Sequence, residues 1–467
     1  MNVIRIPEKI CKQVQEHLFT REGEHFAYFL ARWSESAGTL VFLVKDVILV
    51  PDEDVFISQD HWEVMPEGYL RAVNAAVQSG LCLIEMHNHI WPPPRFSATD
   101  RAGLAEFVPY IHQSLPGKPY AALVWTEEGI YGEYFLPNGK TGIINSIVVY
   151  GDRLQQLVSR DDDQVPISSE YDRQLAWFTP EGQRQIERLS VGIVGLGGTG
   201  SHVSQQLAYL GFQNYVLVDD DHIEDTNLNR LVIATEELLD MTKVAAAANF
   251  IQNIEPTSSV ISLEQDLRTP AALDALKGVD ILFGCIDNDG ARQILNELAV
   301  SYRIPYFDVG VGIDASEGEV LAAGGYINVV LPDGPCLQCM NSIDQEEASY
   351  YLADETERQA QRERGYVTGM DVPAPAVISL NGLVASAAIT ELLSYISGSR
   401  PVAAQQLYDL LGTIRPLPGQ WMAPSRVVRR TGCVHCALAG LGDEADVLRY
   451  SRRFISKSTE LGEIPTH

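Results

Sequence analysis

Two cysteine pairs, Cys336-Leu-Gln-Cys339 and Cys433-Val-His-Cys436, set four thiolates at the spacing of two metal knuckles. Four sulfur ligands leave no open coordination position, so the pattern predicts a closed, structural Zn²⁺ centre joining distant parts of the chain. His435, inside the second knuckle, is expected to be a bystander. A second constellation lies nearer the amino terminus. His87-Asn-His89 ends an apolar run, and an extended strand would send both imidazoles out of one face. Ser97-Ala-Thr-Asp100 follows, opening a helical pattern. Two imidazoles and the Asp100 carboxylate would hold Zn²⁺ with one position free for water, as in a hydrolytic site. Ser97 and Asp100 also satisfy a helix capping box, a purely local role worth about 1 kcal/mol.

A third cluster points to phosphate chemistry. Gly195-Leu-Gly197-Gly198-Thr-Gly200 follows an apolar strand pattern and opens a helix, so backbone N–H groups and the helix dipole would meet a phosphate there. Asp219-Asp220-Asp221 comes about 20 residues later, where a carboxylate commonly bonds a ribose hydroxyl. To this point NAD and ATP fit equally. Arg230, Lys243 and Cys285-Ile-Asp287-Asn288 favour nucleotidyl transfer. Charge grows on phosphoryl oxygens and leaving pyrophosphate in that reaction, and cations with a carboxylate-held Mg²⁺ offset it; hydride transfer has no such need. Taken singly, Arg230 and Lys243 would read as surface charges.

From about residue 169 to 440 the chain resembles the ubiquitin-activating-enzyme-like adenylyltransferases, which include activators of sulfur carriers for thiamine and molybdopterin synthesis. The resemblance rests on Tyr171-Asp-Arg173-Gln174, the loop Gly195 to Gly200, Asp219, Asp221, Asn227-Leu-Asn-Arg230, Lys243, Asp287, Asn288 and the four knuckle cysteines. It implies a Rossmann-like doubly wound domain binding ATP and Mg²⁺. By that resemblance Asp221 meets the ribose, Asn227, Arg230 and Lys243 meet the phosphates, and Asp287 holds Mg²⁺. Arg173 would be lent by a second subunit, implying a homodimer. The implied reaction joins the C-terminal carboxylate of a ubiquitin-like or sulfur-carrier protein to AMP, releasing pyrophosphate. Thioester-forming members carry a cysteine in a crossover segment, yet none lies between Met340 and Gly432. Cys285 is expected to pack, and the adenylate to pass directly to a conjugating enzyme's cysteine, a sulfur donor or an amine, unless Cys11 or Cys82 reaches it.

Residues of about 10 to 140 resemble the JAMM metalloprotease domain of deubiquitinating enzymes and bacterial processors of ubiquitin-like proteins. The resemblance makes His87, His89 and Asp100 ligands of a second, catalytic Zn²⁺, Glu24 the general base and Ser97 a donor to the tetrahedral intermediate. Ile90 stands where that family usually has proline, and Ala27 and Ala31 replace glycines. Two other readings are a JAMM-like domain acting only as a binding module, and an NAD-dependent oxidoreductase built on the glycine loop.

These side chains need rigid carriers. β-rich runs at Tyr28 to Trp33, Gly38 to Val44, Cys82 to Met86 and Tyr120 to Trp125, with helices at Tyr69 to Gln78 and Thr99 to Gln113, predict an α+β domain over 1–150. A polar, acidic linker over 151–168 precedes an α/β domain over 169–440. There strands (Ser190 to Val194, Tyr215 to Val218, Val279 to Phe283) alternate with helices (Thr199 to Leu210, Lys243 to Ile251), the pattern of a parallel sheet. Gln345 to Gly369 reads as a polar crossover, Ala376 to Ile396 as a helix and 441–467 as a peripheral tail. The 467 residues suit two or three domains. A net charge of −28 repels nucleic acid and anionic lipid. No membrane span is expected, and a start lacking the features of a signal peptide predicts a cytoplasmic protein.

Overall fold

Apolar residues in the amino-terminal strands alternate between two covered faces, and this decides the first unit's architecture. The computed structural model describes residues 2–36, 38–58, 61–157, 166–316, 318–353, 375–413, 418–423 and 427–452. It separates into one unit built on Met1–Ile167 and another built on Ser168–Ala439 with the segment from Asp443 onward.

In the first unit nine strands pair in the order Leu154–Leu157, Ser146–Tyr150, Val3–Pro7, Thr39–Leu49, Phe26–Ser36, Cys82–Asn88, Tyr120–Thr126, Gly129–Phe135 and Thr141–Ile143. Ala27, Phe29, Ala31, Ile84 and Met86 face helix Glu8–Phe19, whose Cys11, Val14 and Leu18 are buried against them. Tyr28, Leu30 and Leu83 face the other way, toward helices Pro66–Ser79 and Ala98–Ser114, through Ala72, Val73, Leu104 and Ile111. Period-2 alternation therefore puts Glu85 and His87 on the face with Leu83, beneath helix Ala98–Ser114. Cys11 and Cys82 belong to the opposite core at 7% and 0% exposure, and burial pushes the Cys11 thiol up to about 11. Against the expectation that Cys11 or Cys82 reaches an adenylate, both are packing residues of this core.

The second unit carries an eight-stranded sheet ordered Ser259–Leu263, Asn214–Val218, Ser190–Val194, Ile281–Gly284, Tyr306–Ser316, Glu319–Val330, Gln405–Asp409 and Gln420–Met422. The first five are parallel and the rest antiparallel. From Ser190–Val194 the chain winds outward through Asn214–Val218 to Ser259–Leu263, then returns to add Ile281–Gly284 on the opposite side. The order reverses between Ser190–Val194 and Ile281–Gly284. A crevice opens beyond strand carboxyl ends at such a reversal.

Two differences from the sequence reading matter. The chain past Gly440 is not peripheral as far as Arg452: Val447 and Tyr450 are 3% and 6% exposed, and the Tyr450 hydroxyl donates to Glu297 at 2.9 Å. Residues 453–467, 158–165 of the linker and 354–369 of the crossover lie outside the described residues. Helix Ile378–Ser397, which the sequence reading gives as a helix over Ala376 to Ile396 but not as a span, is by length and composition apolar enough to cross a membrane. Val384, Ala385, Ala388 and Leu392 on it are buried, and Glu391 pairs with Arg400, so much of its apolar surface has a partner within the unit.

Candidate functional site

A cavity of about 740 Å³ opens at the sheet reversal, lined by the glycine loop, Asp219 to Asp221, Asn227, Arg230, Lys243, Asp287, Asn288 and Arg292. Tight backbone geometry shapes its floor. Gly195 has φ +85°, and a Cβ on Gly200 would fall 1.9 Å from the Gly195 carbonyl oxygen. Only glycine lets helix Gly198–Leu210 start so close to the strand, which brings the free N–H groups of its first turn to the cavity.

Asp219 and Asp221 divide the work that the sequence reading assigned to both. The Asp219 carboxylate accepts N–H groups of Leu196 at 2.5 Å and Asp221 at 2.9 Å, bracing the loop. Burial raises its pKa, and Lys243 opposes that only in part. Asp221 is exposed and accepts a 2.6 Å hydrogen bond from Lys243 Nζ. Lys243 is the first residue of helix Lys243–Ile254 and is 8% exposed. A cation at a helix N-terminus opposes the dipole, so Asp221 is a compensating partner. Arg230 donates to the Thr226 carbonyl oxygen, and Asn227 is buried beside it.

Asp287 is exposed at the cavity, beyond strand Ile281–Gly284. Asn288 lines the cavity and also caps helix Asp289–Tyr302: its Oδ1 accepts the Ala291 N–H at 2.7 Å. Arg173 is exposed and is not among the residues lining its own chain's cavity.

Sequence reasoning missed Arg292, Asp308, Tyr326 and Asn381. Arg292 grips Asp308 twice, Nε to Oδ1 at 2.9 Å and Nη2 to Oδ2 at 2.6 Å, bonds Asp289, and lies 4.7 Å from the Tyr326 ring centroid. Arg292 falls one turn past Asp287-Asn288, a position the helix repeat could have singled out.

Cys285 also lines the cavity, and burial with the nearby Asp308 charge pushes its thiol well above the usual range. A protonated thiol is a poor nucleophile. Cys285→Ala is therefore expected to leave adenylate formation within about fivefold of the parent, since a packing change of this size costs on the order of 1 kcal/mol. A covalent adduct captured by the parent and lost in the variant would refute this.

The four knuckle cysteines meet in one cluster. Cys336 Sγ lies 3.8 Å from Cys339 Sγ and 3.6 Å from Cys433 Sγ, and Cys339 Sγ lies 3.5 Å from Cys436 Sγ. A disulfide needs about 2.05 Å, whereas a tetrahedron of Zn–S bonds of about 2.3 Å puts sulfurs roughly 3.8 Å apart. The donor set fits zinc. Burial opposes ionisation of Cys339, yet hydrogen bonds from the Arg430 N–H and neighbouring thiols bring it down to about 7. His435 is more than a bystander: its Nδ1 lies 3.2 Å from Glu297, which also binds Arg449 and Tyr450. Leu337 N–H donates to Asn296 at 2.9 Å, so both knuckles bear on helix Asp289–Tyr302.

In the first unit His87 Nε2 and His89 Nε2 lie 3.1 Å apart, and Asp100 is 3.5 Å and 3.2 Å from them. Burial would raise the Asp100 pKa, but the two imidazoles hold it well below the carboxylate range. Burial favours neutral His87, and Asp100, Glu85 and Glu24 together outweigh it. Glu24 is half-buried and close enough for its charge to act on His87. The capping box coexists with the cluster: Ser97 Oγ accepts the Asp100 N–H at 3.1 Å, and Asp100 accepts the Ser97 N–H at 2.6 Å. One ligating atom from each of His87, His89 and Asp100 falls within 4.8 Å of the others, so this donor set also fits a metal ion.

Comparison with known proteins bears on the second unit. The "SAMP-activating enzyme E1" of Haloferax volcanii is 31% identical over 161 residues, covering 34% of this chain and 56% of that protein. The "Sulfur carrier protein ThiS adenylyltransferase" of Escherichia coli is 30% identical over 168 residues, covering 36% of this chain and 63% of that one. "Adenylyltransferase and sulfurtransferase MOCS3" of Culex quinquefasciatus is 31% identical over 36% of this chain and 37% of its own. The chain thus spans less than two thirds of each relative's length. The model of the ThiF family matches residues 171–434, more than half of the chain and every cavity and knuckle residue described above from Gly195 to Cys433. The chain belongs to the ThiF family.

Proposed function

We propose that the second unit adenylates the C-terminus of a ubiquitin-like or sulfur-carrier protein. The observation carrying this reading is the convergence of the glycine loop, Lys243, Arg230 and exposed Asp287 on one cavity at the sheet reversal. The incoming carboxylate is already ionised, so its attack on the α-phosphate of ATP needs no general base. Catalysis is positioning and charge neutralisation. Helix N–H groups and Lys243 bind phosphoryl oxygens, Arg230 draws off charge on pyrophosphate, and Asp221, once exchanged from Lys243, takes the ribose hydroxyls. Asp287 would hold Mg²⁺, which supplies further charge neutralisation on the triphosphate. Arg173, exposed and outside its own cavity, is free to serve a second copy, and exposed Trp177 one turn on supports an interface there.

The first unit, in this reading, is a peptidase acting on the same protein partner. His87, His89 and Asp100 would hold Zn²⁺, which would supply Lewis-acid activation of water. Glu24 would serve as the proton acceptor, and the Ser97 hydroxyl, whose Oγ accepts from Asp100 N–H, would keep its own proton for donation to the substrate's carbonyl oxygen. Fusing trimming and activation raises the effective concentration of a shared substrate.

Exchange of labelled pyrophosphate into ATP, stimulated by a ubiquitin-like protein and reduced at least about 100-fold in Asp287→Ala, is the expected result. Reduction of NAD by a small substrate, without such exchange, would overturn the reading. For the first unit, two zinc ions per chain and cleavage of a ubiquitin-like fusion are expected. One zinc and no cleavage would leave a binding module.

A further inference from the structure

Asn381 stands on helix Ile378–Ser397 and lines the cavity. It is 3% exposed, and its Nδ2 has no hydrogen-bond partner. A buried amide donor left unpaired costs about 1–3 kcal/mol, and such groups in folded proteins call for an explanation. The direction of this one supplies it. A Cβ built on Gly198 would fall 2.2 Å from Asn381 Nδ2. The side-chain amide therefore lies against the first residue of helix Gly198–Leu210, where backbone N–H groups are also unpaired by the helix.

We propose that Asn381 Nδ2 is a phosphate-binding donor, contributing to the helix N-terminus the side-chain hydrogen bond that backbone N–H groups alone cannot make from that side. The proposal rests on the reading of this cavity as a nucleoside triphosphate site. Three features support it. The three nearby cations, Lys243, Arg230 and Arg292, all bond groups of the protein. Asn381 is uncharged and needs no partner exchange before it can donate. Gly198 is the one residue type that leaves room for the amide, since any side chain there would displace it. A phosphoryl oxygen seated on the helix N-terminus would satisfy both the backbone groups and the amide.

Calorimetric titration of the full chain with ATP and with adenosine separates the possibilities, using Asn381→Ala and Asn381→Asp. A hydrogen bond to a charged oxygen predicts about a tenfold or greater loss of ATP affinity in Asn381→Ala. The nearly isosteric Asn381→Asp, which replaces the donor with an anion, should lose more, about 100-fold. Adenosine, lacking phosphate, should bind both variants as it binds the parent. Equal losses for ATP and adenosine would mean that Asn381 only packs the helices, and unchanged ATP affinity in both variants would likewise overturn the proposal. A parent chain that binds neither ligand would instead overturn the nucleotide reading itself.

Discussion

Replacing Lys243 with alanine is expected to slow adenylate formation by about 30- to 1,000-fold, equivalent to ~2–4 kcal/mol of lost transition-state stabilisation. Lys243 is 8% exposed, and among the described residues the guanidinium groups that also line the cavity are engaged elsewhere, Arg230 by the Thr226 carbonyl and Arg292 by Asp308 and Asp289, so neither stands in for it. Truncation also strands Asp221, whose negative charge would then face the incoming phosphates unpaired. Much of the loss should therefore appear in ATP affinity, with the remainder in the rate at saturating ATP. Removing the repulsive partner as well, in Lys243→Ala with Asp221→Asn, should recover part of the affinity and none of the remainder. Steady-state exchange kinetics across ATP concentrations measure both. A variant with the parent's rate and affinity would remove Lys243, and with it the cavity's phosphate chemistry, from the account. Arg230→Ala should fall in the same range with a different signature, because among the described residues its guanidinium is bonded to the Thr226 carbonyl and Asn229 rather than to a carboxylate.

The second large effect concerns the thiolate cluster. If the four thiolates hold zinc as proposed, Cys336→Ser or Cys433→Ser is expected to abolish zinc binding there and lower the melting temperature of the second unit by about 10 °C. Binding of zinc to four-ligand peptides is worth roughly 10–16 kcal/mol. Loss of even about 4 kcal/mol of stability, at roughly 2–4 °C per kcal/mol for a large domain, gives a shift of this size. Cys336 is the sharper test, being 0% exposed and in contact with two of the other thiols. Metal analysis alongside calorimetry checks the assignment. A variant that kept its full zinc content and melting point would show that the four sulfurs do not share an ion.

How much of this could be read before any coordinates depended on whether a residue's partner was near in sequence. The glycine loop, the knuckles and His87-Asn-His89 declare themselves because each is a short motif with fixed spacing. The sheet followed for the same reason: strands such as Ser190–Val194 and Asn214–Val218 are continuous apolar runs, and runs buried on both faces are the mark of a covered parallel sheet. Arg292 and Asp308 did not declare themselves, since their pairing joins a helix start to a strand end and each residue alone looks like a surface charge. Asn381 left a fainter trace as a lone amide in the apolar run Val377-Ile-Ser-Leu-Asn381-Gly-Leu-Val384. Asn288 has a second role that the motif does not announce, since its side-chain carbonyl also starts a helix. The segment after Gly440 looked like a tail because its buried residues Ala445, Val447, Tyr450 and Ser451 do not repeat at a helix or strand period over a long run.

The Lys243–Asp221 pair has one more consequence. Stripping water from an ammonium is among the dearest steps in gripping a triphosphate, and here folding has largely done it, with Asp221 as a stand-in anion at 2.6 Å. On the function proposed above, a nucleotide would meet a dry, aimed cation and trade places with a carboxylate that would then turn to the ribose. One swap of partners would dock both ends of the ligand.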